Sequence, residues 1–285
     1  RRFHCWRGGG HGHVDLEKSL EQSCDVYYYD IARRVGIDKI TEMARRLGLG
    51  TRHPLPVPAV VEGLTPTQAW KVRGHDKSWL IGDTLNAGSG QGYMLASPMQ
   101  LAVMTARIAT GRAVTPRLVR AQDGIPVAGK EPEDLGIPQA HLDWVRQGMF
   151  AVSNHKRGTG FKSRFAGDDI KMAGKTGTSQ VRIITPEERA RGVFKNKDLP
   201  WNRRAHAHFD AYAPEKNPRY AIATVVEHGG GGSTAAAPIA RDVLLRAVYG
   251  AEPPLSAYPA KERKEIERQR REAPNAEGQS PADRA

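Results

Sequence analysis

Helix-period patterning fills most of the first 150 residues of this chain, and strand patterning enters only after residue 170. That order restricts the fold more than any other feature. Leu16 and Leu20, then Val26, Tyr29, Ile31 and Val35, keep helical spacing up to Gly36, and Asp15 is a candidate N-cap with Lys18 standing where a capping box wants Glu or Gln. A second helix is expected over 38–47, stopped by Gly48 and Gly50, and a short one over 67–72 after a proline-rich loop at 51–66. The stretch 82–92 reads as loop. Ser97-Pro98 opens a helix over 99–110, and Leu142, Val145, Met149 and Val152 mark another over 139–152. Strands are predicted over 171–182, 207–213 and 219–227. The last two are joined at Pro214–Pro218 as a hairpin, and a closing helix runs over 234–249. Segregated helices and strands of this kind imply an α+β domain, an antiparallel sheet flanked by helices. The insertion at 183–205 reads as a flap. Residues 1–252 are assigned to the domain, and 253–285 to a charged, Pro-rich tail expected to be disordered, with helical character over 261–271.

Composition narrows the function classes. With 39% hydrophobic residues the 285-residue chain can bury a core, and its formal charge of +12 favours anionic partners. The basic residues are scattered, and no basic-and-aromatic platform for nucleic acid is present, so nucleic acid is not an expected partner. No apolar run of transmembrane length occurs. The chain has neither an initiating Met nor a signal peptide, and is expected to be a piece of a longer protein.

Two short motifs carry chemistry. Lys175-Thr176-Gly177-Thr178 on a strand would supply an ammonium, hydroxyls for a carboxylate, and a strand edge on which a substrate could lie, with the Thr178 N–H free to face an oxyanion. Ser23-Cys24-Asp25 stands in a helical context; its bland reading is a capping hydroxyl. Cys5, His11, His13 and Cys24 gather thiols and imidazoles suited to zinc, although the spacing is not that of a zinc finger. A Cys5–Cys24 disulfide and a buried free thiol are the alternatives. His206 and His208, two apart on a strand, read as core or groove lining rather than metal ligands.

These motifs do not stand alone. Gly10-His11-Gly12-His13, Gln22-Ser23-Cys24-Asp25, Gly88-Ser89-Gly90-Gln91-Gly92-Tyr93, Ser97-Pro98-Met99-Gln100, the Lys175 strand, His206-Ala207-His208-Phe209 and Val226-Glu227-His228-Gly229 fall in the order and approximate spacing of a known family. The chain resembles the transpeptidase domain of class B penicillin-binding proteins, in the penicillin-binding protein 2 group. The resemblance implies the penicillin-binding protein/β-lactamase-like fold with its N-terminal part missing. It implies a peptidoglycan D,D-transpeptidase of cell elongation, with D-Ala-D-Ala stem peptides as substrates and β-lactams as their mimics. Elongation-machinery membrane proteins would be partners, and an anchor in a missing N-terminal segment would hold the protein at the periplasmic face of the inner membrane.

Carried over to this sequence, Ser23, Asp25 and Lys175 would be catalytic. Thr176, Gly177 and Thr178 would bind substrate, and Cys5, His11 and Cys24 would hold a structural zinc. The family's nucleophilic Ser-x-x-Lys should precede Ser23, and nothing in the 22 residues before it matches. Ser153-Asn154-His155-Lys156 matches the pattern formally, but it follows Ser23 in the chain and is read as a decoy. A catalytically silent stem-peptide or partner-binding module is the alternative function.

Overall fold

A computed structural model describes residues 3–272. Helices α1 (Leu16–Glu21), α2 (Asp25–Val35), α3 (Ile37–Arg46), α4 (Gln68–His75), α5 (Ile81–Gly88), α6 (Pro98–Thr110) and α7 (Gln139–Asn154) come first, interrupted only by a two-residue hairpin, β1 (Ala121–Gln122) with β2 (Ile125–Pro126). Strands β3 (Ala173–Ser179), β4 (His206–Ala213) and β5 (Tyr220–Val226) form an antiparallel sheet in the order β3-β4-β5. Helix α8 (Pro186–Arg191) lies in the insertion between β3 and β4, and α9 (Ala237–Tyr249) and α10 (Arg263–Glu272) close the described chain. The α+β expectation holds.

Alternation along the strands divides the core into two layers. Ala207, Phe209 and Ala211 of β4 pack with Leu244 and Leu245 of α9 on one face. Ala173 and Tyr212 pack with Ala109 of α6 and Met149 of α7 on the other. The sheet is therefore covered on both sides by helices. Gly148 of α7 lies so close to α1 that a Cβ there would stand 2.3 Å from Leu20 Cδ1, which ties α1 to the helix backing β3. Among the described residues no helix is long and apolar enough to cross a membrane.

Three expectations are corrected. The stretch 82–92 is not all loop, because α5 occupies its first half. Asp83 accepts the Leu80 N–H at 2.9 Å and pairs with the buried Lys71, while Gly88 faces α2 so closely that a Cβ would meet that of Ala32 at 2.3 Å. These are tertiary constraints, and they outweigh the helix-breaking glycines. The pattern 16–35 is two helices broken at residues 22–24, not one. The segment from Pro253 also departs from disorder over its described part. Ala257 and Tyr258 join the core under α9, and Tyr258 lies between the guanidinium groups of Arg241 and Arg270, 5.3 and 5.5 Å from its ring centre. The helix expected over 261–271 is α10; residues 273–285 lie outside the described residues. The insertion is braced by a bidentate Arg182–Glu188 ion pair, at 2.5 and 2.7 Å.

Candidate active site

Strand β3 brings Lys175 to Ser23 across 152 positions of sequence. Lys175 Nζ donates to Ser23 Oγ at 2.6 Å and to the Thr176 carbonyl at 2.9 Å. Ser23 sits in the break between α1 and α2 at φ +56°, a left-handed conformation that costs a non-glycine residue of order 1 kcal/mol. Neighbouring bonds hold it there. The Cys24 N–H reaches the Ser19 carbonyl at 2.9 Å, and the Trp6 indole N–H donates to the Ser23 carbonyl at 2.9 Å. Asp25, the first residue of α2, accepts the Trp6 backbone N–H at 2.8 Å.

Burial dominates the electrostatics of this cluster. It pushes the Lys175 ammonium down to about 8, against the opposing pull of Asp25 and Asp210. It pushes the Asp25 carboxyl up, against the Trp6 N–H and the Lys175 charge. Both groups move toward neutrality, so desolvation outweighs their mutual attraction.

Thr176 and Gly177 are held by neighbours that the strand motif alone does not reveal. Thr176 Oγ1 lies 2.7 Å from Thr159 Oγ1, and the Thr159 N–H donates to the Glu21 carbonyl at 3.1 Å; Thr159 was not singled out in the sequence. Gly177 is required by its neighbour on β4: a Cβ at this position would stand 1.9 Å from the His208 ring. Among the described residues no strand pairs with the other edge of β3. The Gln91 carboxamide meets it, donating to the Thr178 carbonyl at 3.0 Å and accepting the Gln180 N–H at 3.2 Å, and Lys175 Nζ reaches the Thr176 carbonyl. Gln91 entered the sequence analysis only within the matched Gly88–Tyr93 segment, with no role given, though the glycines flanking it, Gly90 and Gly92, both at positive φ, signal a constrained loop.

Cys5, His11 and Cys24 converge. Their ligand atoms all lie within 4.8 Å of one another, with Cys5 Sγ 3.4 Å from His11 Nδ1. Both cysteines are free thiols, so the Cys5–Cys24 disulfide is not formed. Burial raises the Cys24 thiol and lowers the His11 imidazole. His13 is exposed and stands outside the cluster. His206 accepts the His228 N–H at 2.9 Å through Nδ1, as a structural residue would. Ser153 is fully buried in α7 with its Oγ unpartnered, so no substrate can reach it.

A family model, "Penicillin binding protein transpeptidase domain", matches residues 1–245. The chain is 36% identical over 253 residues to the peptidoglycan D,D-transpeptidase MrdA of Salmonella typhimurium, covering 86% of this chain and 40% of that protein. It is 35% identical over 250 residues to MrdA of Haemophilus influenzae, covering 86% and 38%. Among solved structures it is similar to the penicillin-binding protein PBP2 of Helicobacter pylori in complex with MreC, with a TM-score of 0.73 and 32% identity over 87% of this chain and 42% of that one. PBP2 of Pseudomonas aeruginosa in complex with WCK 5153 also gives a TM-score of 0.73, with 34% identity over 91% and 54%. The chain thus spans about 40% of the length of the curated relatives it matches.

The desolvated Lys175 ammonium has a consequence for stability. Its folded value of about 8 lies below the unfolded lysine value near 10.4, so between these limits the unfolded chain holds the proton that the folded chain has released. Stability from this group therefore rises with pH across that window and is lowest below pH 8. Urea unfolding of wild type and Lys175→Met from pH 7 to 10.5 should show the wild-type minus variant difference climbing by at most ~3 kcal/mol. A flat difference would mean a solvated ammonium.

Proposed function

The chain belongs to the penicillin-binding protein transpeptidase family, in its PBP2-like class B branch, and from that membership we propose that it is part of a peptidoglycan D,D-transpeptidase of the cell-elongation machinery. The observation that carries the reading is the Lys175–Ser23 hydrogen bond, which joins two motifs 152 residues apart at the unpaired edge of β3. In this reading a D-Ala-D-Ala stem peptide adds to that edge. Its terminal carboxylate meets the Lys175 ammonium and the hydroxyls of Thr176 and Thr178, while Gly177 gives room to the His208 ring beside them. Ser23 relays a proton between the nucleophile and the leaving amine. The nucleophile is the serine of a Ser-x-x-Lys outside these 285 residues, and the acyl-enzyme forms there. β-Lactams occupy the donor position. Partners are membrane proteins of the elongation machinery, consistent with the MreC complex of the Helicobacter pylori relative. The site works at the periplasmic face of the inner membrane.

Labelling the full-length protein with a fluorescent penicillin tests this. The adduct should map outside residues 1–285. Lys175→Ala should slow acylation roughly tenfold to a hundredfold, the worth of a charge-assisted hydrogen bond. Lys171→Ala should change it little, because Lys171 Nζ is turned to the Gly167 carbonyl at 2.5 Å. An adduct on Ser153, or equal effects of the two substitutions, would contradict the assignment. Absence of any adduct would favour a silent stem-peptide or partner-binding module.

Cys5, His11 and Cys24 suit a structural zinc ion, with a fourth ligand from outside the chain. Two thiols and an imidazole within 4.8 Å, Cys24 and His11 both buried, form a soft donor set that a tetrahedral site uses. Such an ion would lock the segment carrying Cys5 and His11 to the start of α2, and so hold Ser23 and Asp25, the neighbours of Cys24. Elemental analysis of the full-length protein should find about one equivalent of zinc, and Cys24→Ser should lower both Tm and the acylation rate. Less than about a tenth of an equivalent would exclude the ion.

A further inference from the structure

The register of β4 on β3 sets His208 opposite Gly177 and Asp210 opposite Lys175. Directly opposed residues in an antiparallel pair point to the same face, so both share the face on which Lys175 meets Ser23. A Cβ on Gly177 would stand 1.9 Å from Cε1 and Nε2 of His208. The tip of the imidazole therefore fills the space of the missing side chain over the Lys-Thr-Gly strand. Behind it, Nδ1 lies 3.3 Å from Asp210 Oδ2, the geometry of a ring N–H donating to a carboxylate. Asp210 is only 5% exposed, and its Oδ1 has no partner. The imidazole keeps 23% of its side-chain surface, and among the described residues Nε2 has no hydrogen-bond partner. A ring fixed by a buried carboxylate, with its second nitrogen free beside a reaction site, has the arrangement of an oriented base.

We propose that His208, oriented by Asp210, is a catalytic proton acceptor of this site that deprotonates the amine attacking the acyl-enzyme. The inference rests on the transpeptidase reading. In the transfer step the amine nitrogen bonds to the ester carbonyl carbon, and the bond from that carbon to the nucleophilic serine oxygen breaks. The amine proton passes to His208 Nε2, and the imidazolium, balanced by Asp210, returns it to the departing serine oxygen. Lys175 and Ser23 are engaged with each other, Lys175 Nζ donating to Ser23 Oγ, and the Ser23 relay serves the leaving amine of the acylation step, so the attacking amine of the transfer step calls for a second acceptor. The charged groups nearest the imidazole are Asp210 at Nδ1, Lys175 opposite Asp210 on β3, and His206 two residues along β4, itself engaged by His228, while Asp25 faces Lys175. On β5, Val225 and Ala223 stand opposite His208 and Asp210. The one ionisable residue of α6, Arg107, is turned to the carbonyls of Arg46 and Val114.

The test uses the full-length protein with a D-alanyl thioester donor and D-alanine as acceptor, following thiol release for acylation and amide product for transfer across pH. In the wild type the ratio of transfer to acylation should rise with pH along an acid limb. His208→Gln should lower that ratio on the order of a hundredfold and flatten the limb. In His208→Gly, imidazole added to the buffer should restore part of the transfer, which a merely structural role would not allow. Asp210→Asn should lower the transfer-to-acylation ratio, because the ring loses the carboxylate that orients it. An unchanged ratio and limb in His208→Gln, or a loss that imidazole does not restore, overturns the proposal. If the donor fails to release thiol even with wild type, the transpeptidase reading itself falls and takes this inference with it.

Discussion

A desolvated, half-buried lysine reaching a strained serine is the interaction on which the rest of this structure depends. Lys175 could not keep its charge there without a partner, since desolvation opposes it, and Ser23 could not stay at positive φ without bonds on both sides. Each condition recruits other parts of the chain. The sheet must present Lys175 on the face covered by α6 and α7. Helix α1 must dock on Gly148 of α7 so that the break before α2 lies over that face. Trp6 must fold back to engage the Ser23 carbonyl and the Asp25 carboxylate. The site is thus a product of layer packing and not of any local segment.

The same packing explains which residues near the strand are small. Gly177 yields space to the His208 imidazole, and Gly232, in the π turn Gly232–Ala236, approaches so closely that a Cβ would stand 2.4 Å from the Gly177 carbonyl oxygen. Thr159 and Gln91 then fix the strand from its two sides, one through Thr176 and one through the edge at Thr178 and Gln180. With its edge open between these anchors, β3 is held rigidly while remaining free to accept a partner strand.

Much of this was legible in the sequence, for identifiable reasons. Lys175, Ser23 and Asp25 carry unusual chemistry in short motifs, and the three strands and most helices follow from periodicity and capping: Thr67 and Ser97 each cap the helix that they precede. Cys5, His11 and Cys24 were visible because cysteine is scarce here. What escaped depended on register or on distant contacts. His208 reads from sequence as core or groove lining because nothing local reveals that it stands opposite a glycine. Thr159 and Gln91 carry no chemical signature of their own. Helix α5 was hidden by Gly82 and Gly88, whose cost is offset by the Lys71–Asp83 pair and by the close approach of α2. The stretch around Tyr258 looked like a tail because prolines and charges surround it, yet its aromatic ring has two guanidinium groups to rest between.

The central claim is that Lys175 and Ser23 act as one unit across the interface between the sheet and the helices. A double-mutant cycle on unfolding free energy, with Ser23→Ala, Lys175→Met and the double variant at pH 7, measures that directly. A charge-assisted hydrogen bond from this half-buried ammonium should appear as a coupling of about 1.5–3 kcal/mol. Additivity within about 0.5 kcal/mol would contradict the account, because it would mean that the two motifs lie near each other without interacting.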